Sequence, residues 1–422
     1  MPLDHRSAPR FAVRAAIRAA RALVAAAIVV GGIGARGVSR REVGRRAVTV
    51  GARAVGGGRT RATDGQPAAI AYVIPQQQPD QAALKTLLAV LADHGIEIRR
   101  ALAPFASGRV RYSAGAYIVL GSQPHASAAA ALLDPAFSDV GNAGDRRSAT
   151  SGDSTAVGLK RLLGVGVAEV RDSFPVPVTA PIVPVPPRYI TPPGLGDSAR
   201  RVVGVYTPPN AARPVAWTRA TLGRFGVVYA PIDPTALSDG GAMHEHYDVV
   251  LLPDAGSAPY AAVSGSGLRA FLDAGGTIVA VGSGARWAER TLGLAGRFDD
   301  IAPTADRAGG ADIDSALVDL QIDRASPMAA DMVAHAVAWV AGGPTTVFVP
   351  DTTHSRVVAR YDPGDVVRAS QQVARAYDGA AAIVDVPQGR GRVVLFGFDP
   401  AYRGVSLATL PLLWGALRFR AQ

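Results

Sequence analysis

The stretch from residue 247 to residue 284 constrains the fold more than any other part of the chain. Val249 to Leu252 is a short apolar run that ends at a proline, which is typical of a buried strand. Three apolar residues then recur at helical spacing before Gly275: Leu268, Phe271 and Leu272. Thr277 to Val281 is a second apolar run. Strand, helix and strand in this order predict a βαβ unit, and therefore a parallel sheet with a right-handed crossover.

Composition limits the chemistry that the chain can perform. A length of 422 residues is enough for two or three domains with a full core. Cysteine is absent, which excludes disulfides, thiolate nucleophiles and cysteine-based metal sites. Lysine occurs only at Lys85 and Lys160, so nearly every basic residue is arginine. Together with the abundant alanine and glycine, this indicates the coding bias of an arginine-rich bacterial-type composition.

The net charge of +10 is confined to the beginning of the chain. Residues 1–66 contain 13 arginines and three acidic residues, so they carry the whole excess, and the remainder is neutral. No basic stripe is visible in that remainder. We therefore expect no nucleic-acid binding by the folded part.

Residues 1–63 form an Arg/Ala/Gly-rich leader. Ala22 to Ala35 is apolar, too short for a membrane span but suited to the core of a signal peptide. No clean cleavage site follows, and the arginine pair at Arg40-Arg41 precedes no adequate apolar run. Two interpretations stay open: an export signal, placing the protein in the periplasm or outside the cell, or a disordered leader on a cytoplasmic protein. Membrane contact is expected only through such a signal.

A glycine-rich motif in the leader does not predict a cofactor. Gly32 to Gly37 matches G-x-G-x-x-G after an apolar run. A dinucleotide site also needs an acidic residue about 20 positions later and a following helix, and neither is present. We interpret the match as chance in a glycine-rich segment and expect no cofactor.

Behind the leader the sequence predicts three segments. Residues 64–135 form a small α/β module, with strands at AIAYVIP, IEIRRAL and AGAYIVL and a helix over residues 81–92. Residues 136–200 are predicted to be disordered and then a proline-rich linker or wrapping strap, with a short strand over 162–170 and eight prolines between Pro175 and Pro193. A ligand for a partner domain is the alternative for the proline-rich part. Residues 201–422 form the main α/β domain.

The order of several sequence blocks resembles a known arrangement. AIAYVIP, FASGRVRYSAGAYIVLGSQPHA, GVGVAEVRDSF and VVGVYTP are similar to the region behind the catalytic domain of large secreted zinc carboxypeptidases. YDVVLLPD, LRAFLDAGGTIVAVGS and QGRGRVVLFGFDPAYRG continue the likeness and resemble a class I glutamine amidotransferase-like domain. The resemblance spans about residues 64–422. It implies a flavodoxin-like fold for the main domain and a role beside a peptidase, whose own domain would precede the AYVIP strand.

The peptidase chemistry that the resemblance implies lacks its residues here. His94-Gly95-Ile96-Glu97 matches the His-x-x-Glu spacing of a zinc site, but a histidine at a helix end and a glutamate on a strand should diverge. His244 and His246 would share one side of an extended segment, yet no third ligand accompanies them. The Asn-Arg pair that would hold a substrate carboxylate is also missing, because each asparagine, Asn142 and Asn210, precedes an alanine. We expect no metal site.

An amidotransferase needs a cysteine nucleophile on a strand-to-helix turn, and the equivalent turn reads Gly282-Ser283-Gly284. A serine would attack only with an adjacent base, and the G-x-S-x-G elbow is not spelled out. We interpret Ser283 as the N-cap of the following helix and expect no catalytic residue.

Polar residues follow the predicted parallel strands, where ligands collect in α/β sheets. This edge holds the candidate ligand-binding residues Asn210, Asp254, Ser283, Asp399, Tyr402 and Arg403. The sequence thus predicts a non-catalytic accessory protein that binds a protein partner or a small ligand there. Two alternatives stay open: a hydrolase, either serine-dependent at Ser283 or associated with a separate peptidase, and a truncated remnant without activity.

Overall fold

The chain forms two compact units in a computed structural model. Among the residues that the structure describes, those up to Arg188 form the first unit and those from Tyr189 onward form the second. The structure describes residues 47–50, 69–133, 159–196, 201–239, 243–294, 296–300, 315–330, 332, 335–341, 346–351, 353–362, 377, 379–404 and 406–419. The apolar run Ala22 to Ala35 and the glycine motif Gly32 to Gly37 lie outside these residues. Within them, no helix is long and apolar enough to cross a membrane.

The first unit is built on a four-stranded antiparallel sheet. Its strands in chain order are β1 (Ala47–Val50), β2 (Ala71–Ile74), β3 (Arg99–Arg100), β4 (Phe105–Ser107), β5 (Val110–Tyr112), β6 (Tyr117–Leu120), β7 (Ala168–Val170) and β8 (Phe174–Pro177). Its helices are α1 (Gln81–Asp93), α2 (Ala126–Leu133) and α3 (Leu159–Leu163). The main sheet has the order β3-β6-β2-β7, and β4 pairs with β5 as a separate hairpin.

The sequence of helix α1 accounts for its start, its buried face and its end. The Asp80 carboxylate caps its first turn by accepting hydrogen bonds from the backbone N–H groups of Ala82 and Ala83. The predicted apolar face is buried, and the helix ends at His94. One element differs from its prediction: the apolar run expected as a strand over 162–170 contains the end of α3 and then β7. A short apolar run does not distinguish a buried helix from a buried strand, so tertiary packing decided it.

The proline-rich segment is attached to the first unit instead of hanging free as a linker. Strand β8 pairs antiparallel with β1, which lies in the stretch predicted to be leader. The backbone N–H groups of Thr179 and Ile182 donate to the carbonyls of Arg100 and Ile98. Prolines are tolerated because β8 has only one partner strand, and a proline can occupy such an edge. The segment 174–182 is therefore a strap on this unit, and β1 is part of the same unit.

The second unit contains an eleven-stranded mixed sheet. Its strands are β9 (Val203–Tyr206), β10 (Tyr229–Ile232), β11 (Val249–Leu252), β12 (Thr277–Val281), β13 (Gly296–Asp300), β14 (Ser315–Ile322), β15 (His335–Ala341), β16 (Thr346–Pro350), β17 (Arg356–Asp362), β18 (Ala381–Gln388) and β19 (Gly391–Phe396). Its helices are α4 (Arg213–Arg224), α5 (Pro234–Ser238), α6 (Met243–His246), α7 (Ser257–Ala261), α8 (Ser266–Asp273), α9 (Ser283–Leu292) and α10 (Leu410–Arg418), with a 3-10 turn at Tyr402–Gly404.

The parallel part of this sheet shows the predicted fold class. Strands β10, β9, β11, β12 and β19 lie side by side in that order and all run parallel. If these five strands are renumbered 1 to 5 by their order in the sequence, their order in the sheet is 2-1-3-4-5, which is that of flavodoxin-like α/β domains. The βαβ unit predicted from residues 247–284 is β11, α8 and β12, and the apolar face of α8 is buried. The prediction of an α/β, flavodoxin-like main domain is confirmed.

The rest of the sheet is antiparallel. Strands β18, β17, β14 and β15 extend it beyond β19, and β16 pairs with both β13 and β18. Strand β15 is built mainly of alanines, valines and a tryptophan, so no alternation of polar and apolar residues marks it in the sequence. In the terminal helix α10, the apolar residues Leu410, Leu413, Trp414 and Leu417 recur at helical spacing and are buried.

Candidate functional site

The carboxyl ends of the parallel strands place the predicted site residues along one edge of the sheet. Asn210 follows β9, Asp254 follows β11, Ser283 follows β12, and Asp399 follows β19. Because these strands are parallel neighbours, their following loops lie at the same edge. Two features lie at this edge. One is the turn after β12, which we call the β12 turn (Gly282 and Ser283). The other is a cleft at the ends of β9 and β11, which we call the switch-point cleft.

The strained position of the β12 turn is a glycine. Gly282 has φ 54° and ψ −116°, between the last residue of β12 and the first residue of α9. In a nucleophile elbow the reacting side chain stands on this kind of sharp strand-to-helix turn. A Cβ built on Gly282 would lie 2.7 Å from Cγ and Oδ2 of Asp254. The Asp254 carboxyl therefore fills the space that a side chain at the strained position would occupy.

Ser283 is not a helix cap, which corrects the interpretation made from sequence. The N-cap of α9 is Gly282, and no side chain caps this helix end. The Ser283 hydroxyl donates a hydrogen bond to Oδ1 of Asp254 over 2.6 Å and accepts one from the Gly256 N–H over 2.9 Å. The Ser283 N–H also donates to Oδ1 of Asp254, over 3.2 Å. Ser283 is buried, and its hydroxyl joins the loop after β11 to the β12 turn.

Asp399 brings a second carboxyl to the β12 turn. Burial raises its pKa to about 7; a hydrogen bond from the Ala401 N–H to Oδ1, 2.8 Å long, opposes this shift, and the charge of Asp254 adds to it. Its other oxygen, Oδ2, is buried without a hydrogen-bond partner among the residues that the structure describes. An unpaired buried carboxylate is costly, so the proton is retained up to neutral pH. Asp254 and Ser283 are thus joined by hydrogen bonds, and Asp399 lies close enough to Asp254 for the charge of Asp254 to raise the pKa of Asp399.

Tyr402 and Arg403 occupy a different environment from these carboxyls. The Tyr402 ring stacks on Trp339 with centroids 4.6 Å apart and meets the edge of Trp217 at 5.0 Å. Tyr402 is buried, so its main contacts are those of an aromatic core residue. Arg403 is exposed, has a left-handed backbone with φ 48°, and places its guanidinium 5.3 Å from the centroid of the Tyr402 ring.

The switch-point cleft has a volume of about 560 Å³. It lies at the ends of β9, β10 and β11, where the strand order reverses between β9 and β11, which is the usual ligand position in open α/β sheets. Alanine and proline dominate its lining, and the side chains with polar groups are Tyr206, Asn210 and Ser257. The full lining consists of Tyr206, Pro208, Pro209, Asn210, Ala212, Pro234, Ala255, Gly256, Ser257, Ala258, Pro259 and Ala262.

Two buried tyrosines, Tyr206 and Tyr260, hold the loop that forms one wall of this cleft. The Tyr206 hydroxyl donates to the carbonyl of Pro259 over 2.9 Å, and the Tyr260 hydroxyl donates to the carbonyl of Pro253 over 2.6 Å. Their ring centroids are 5.1 Å apart. Burial raises the pKa of both phenols, so both stay neutral at physiological pH. The loop over 253–260 is held by these bonds and by the bond from Gly256 to Ser283, so the cleft is largely pre-formed.

Sequence reasoning found one residue of this cleft and missed the rest. Asn210, with φ 56°, was a candidate and does line the cleft. The prolines and alanines that line most of it carry no reactive group, so no chemical pattern marked them. The signal that could have found them is their position: Pro208 and Pro209 lie just beyond the carboxyl end of β9, the first parallel strand of the domain, and are separated from it by one residue.

The histidine patterns do not form a metal site. His94 Nδ1 lies 2.8 Å from the Val90 carbonyl at the end of α1, and Glu97 pairs instead with Arg99 over 3.0 Å. His244 and His246 lie on helix α6, not on an extended segment, so residues two apart point to different sides of the helix. Across the described segments, no group of three or more metal-ligating side chains occurs.

Comparison with known proteins gives structural likenesses but no family. No family model matches the chain, and no curated protein matches it. A putative GMP synthase component from Thermoplasma acidophilum is 9% identical, covers 51% of this chain and 94% of its own, and has a TM-score of 0.35. A glutamine amidotransferase (14%, 50% and 98%, TM-score 0.33) and PurLQS from Thermotoga maritima (15%, 51% and 97%, TM-score 0.35) are similar to the same degree. The flavodoxin-like fold therefore stands on the strand order of the chain itself, and these likenesses assign it no activity.

Proposed function

We propose that this chain is a non-catalytic binding protein and that the switch-point cleft is its binding site. One observation carries the proposal: the strained position of the β12 turn is Gly282, and the Asp254 carboxyl fills the space beside it. A turn that presents no side chain offers no nucleophile, whereas the neighbouring cleft is open. Binding is thus favoured over turnover at this edge of the sheet.

The cleft has the size and lining of a small-molecule site. Its volume of about 560 Å³ lies within the range of roughly 300 to 1,000 Å³ that such sites occupy. Its walls are mostly apolar, and the Asn210 amide offers both a donor and an acceptor. A compact ligand with an apolar body and one amide or hydroxyl group fits this chemistry. A loop of a partner protein with the same features is the second occupant that the cleft would accept.

The serine-hydrolase alternative requires a base beside Ser283. The hydroxyl instead donates to Asp254 and accepts from the Gly256 N–H, and no histidine bonds to it in the described part of the chain. A serine held in this way serves as a structural link. Treating the wild type with a fluorophosphonate probe and an activated ester tests this point, and we expect neither labelling nor turnover. Labelling that disappears in Ser283→Ala would make the protein a hydrolase.

The binding proposal is tested with two matched tryptophan variants on the same short helix. Ala258 lines the cleft, and Ala261 is exposed but does not line it. A library of small amide- and hydroxyl-bearing fragments would be screened by ligand-observed NMR against the wild type, Ala258→Trp and Ala261→Trp. We expect fragments that bind the wild type and Ala261→Trp but not Ala258→Trp. If no fragment distinguishes the two variants, the cleft is not the binding site.

We further propose, from the order of its sequence blocks, that the protein is related to the non-peptidase half of exported zinc carboxypeptidases and is itself exported. The support is the succession from AIAYVIP to QGRGRVVLFGFDPAYRG, together with the apolar run in the leader. Fusing residues 1–66 to a reporter that is active only outside the cytoplasm tests export. A carboxypeptidase encoded beside this chain, and co-purifying with it, would support the relationship; a reporter that stays inactive would contradict export.

A further inference from the structure

The strap (residues 174–182) continues into a proline-rich run, residues 181–188, which is stiff and extended for reasons set by its sequence. It reads Pro-Ile-Val-Pro-Val-Pro-Pro-Arg. Proline fixes its own φ near −65°, and a residue that precedes proline is pushed to extended or polyproline II conformations. Every position from Val183 to Pro187 is either a proline or directly precedes one. This run is therefore restricted to a polyproline II-like path before any partner binds it.

This stiff run is anchored at one end and displays apolar side chains to solvent. The Ile182 N–H donates to the Ile98 carbonyl over 2.8 Å, which fixes the start of the run on the first unit. Val183 is 92% exposed and Val185 is 67% exposed. Three of the five exposed large hydrophobic residues in the described part of the chain lie within positions 183–190. Single exposed apolar residues are common, but a cluster of them on a segment that is fixed in place is typical of an interaction site.

The exposure pattern matches a helix with three residues per turn. Val183 and Pro186 are exposed and three apart, and so are Val185 and Arg188. Pro184 and Pro187, also three apart, are only partly exposed. A polyproline II helix has this period, so one edge contacts the protein and two edges face outward. The outward edges carry two valines, one proline and one cation.

Arg188 gives the run a charge at its carboxyl end. It is exposed, and within the described part of the chain it makes no ion pair. An arginine beside a proline run pairs readily with an acidic group of a binding partner. Strand addition by a partner is a poor alternative, because prolines at 184, 186 and 187 provide no N–H donors.

We propose that residues 183–188 are a docking site for a partner domain whose groove is lined by aromatic side chains and bordered by acidic residues. The two outward edges would lie in the groove, with Val183 and Pro186 between the aromatic rings and Arg188 on an acidic residue. Because the run is already extended, little conformational entropy is lost on binding. This site is on the first unit and is independent of the switch-point cleft, so either can exist without the other.

The test uses the full chain immobilised for surface plasmon resonance against a panel of SH3 and WW domains, which have aromatic-lined grooves for proline-rich ligands. We expect at least one domain with an acidic rim to bind. The Val183→Ser/Pro186→Ala variant should bind about tenfold more weakly, because it removes apolar surface that would be buried in the groove. Arg188→Glu should weaken binding and reduce its dependence on salt. The matched control is Val110→Ser, which changes a valine that is 52% exposed elsewhere on the first unit and should leave binding unchanged.

Three outcomes would overturn the proposal. One is that no domain of the panel binds the wild type; another is that Val110→Ser weakens binding as much as the strap variant does. The third is a concentration-dependent dimer in sedimentation that Val183→Ser/Pro186→Ala abolishes, since the run would then be covered by a second copy of the chain. Thermal unfolding of each variant shows that the first unit is intact, and exposed positions of this kind seldom change stability measurably.

Discussion

The β12 turn and the switch-point cleft lie at the same edge of the sheet, but the space at the turn is filled and the cleft is open. The β12 turn is filled: a glycine stands at the strained position, and the Asp254 carboxyl occupies the space beside it. The switch-point cleft is open and lined mostly by prolines and alanines. Both are built from ends of parallel strands, so the fold alone does not decide which is used. Single residues at the strand ends therefore decide this difference: Gly282 leaves a space that Asp254 fills, whereas prolines and alanines leave the cleft open.

The largest expected effect comes from placing a side chain on the filled turn. Gly282→Ala should lower the free energy of unfolding by about 4 kcal/mol, combining backbone strain with overpacking against Asp254. Gly293→Ala is the matched control, since Gly293 also has a left-handed φ of 64° but a Cβ there meets nothing within 4 Å. It should cost about 1 to 2 kcal/mol, from strain alone. Urea unfolding measures both, and equal costs would show that Asp254 does not fill the turn.

The next effect concerns the proton on Asp399. Its folded pKa of about 7 lies above the ordinary value, so the folded state binds the proton more tightly than the unfolded state. Stability should therefore fall as pH rises from about 4 through about 7. Asp399→Asn keeps the neutral form and should raise the free energy of unfolding at pH 8 by roughly 3 kcal/mol while changing little at pH 4. Urea titrations at the two pH values check this, and a pH-independent difference between the proteins would contradict the buried carboxyl.

Removing the Ser283 hydroxyl, which links the β12 turn to the loop after β11, should change the free energy of unfolding less than the two preceding substitutions. Ser283→Ala deletes the hydroxyl that bonds to Asp254 and to the Gly256 N–H, so we expect a loss of about 2 kcal/mol in the free energy of unfolding. The control is Ser257→Ala, an exposed serine of the cleft, for which the change should be near zero. A cost for Ser283→Ala no greater than for Ser257→Ala would mean that the loop after β11 is held by other contacts.

The smallest effect on stability is expected in the open cleft. Ala258→Trp adds a large side chain at an exposed position, so the free energy of unfolding should change by less than about 0.5 kcal/mol. The same variant should abolish fragment binding. It would thus affect binding and not stability, whereas Gly282→Ala is expected to affect stability. Thermal unfolding, run beside the binding experiment, separates the two effects. A strongly destabilised Ala258→Trp would show that the cleft is packed closed in solution.

Local patterns were sufficient for much of the fold. The apolar runs of β11 and β12 and the helical spacing of Leu268, Phe271 and Leu272 specify their elements because burial of one face depends on residues close in sequence. The same reasoning located Asp254, Ser283 and Asp399 at strand ends. It misjudged the start of residues 162–170, where a short apolar run is compatible with helix and strand alike. It also gave no sign of β1, whose partner β8 is more than a hundred residues away.

The amino-acid sequence alone specifies the parallel α/β arrangement, the absence of cysteine chemistry and the stiffness of the proline-rich strap, because each follows from residue type or from spacing within a few positions. The bonding and protonation of the site residues, in contrast, depend on the tertiary structure. Asp254, Ser283 and Asp399 come from the ends of three different strands; Ser283 bonds to Asp254, and the missing side chain of Gly282 leaves the space that the Asp254 carboxyl fills. The pKa of Asp399 is raised by burial among distant residues. Hydrogen bonds and desolvation act through space, so no local pattern contains them.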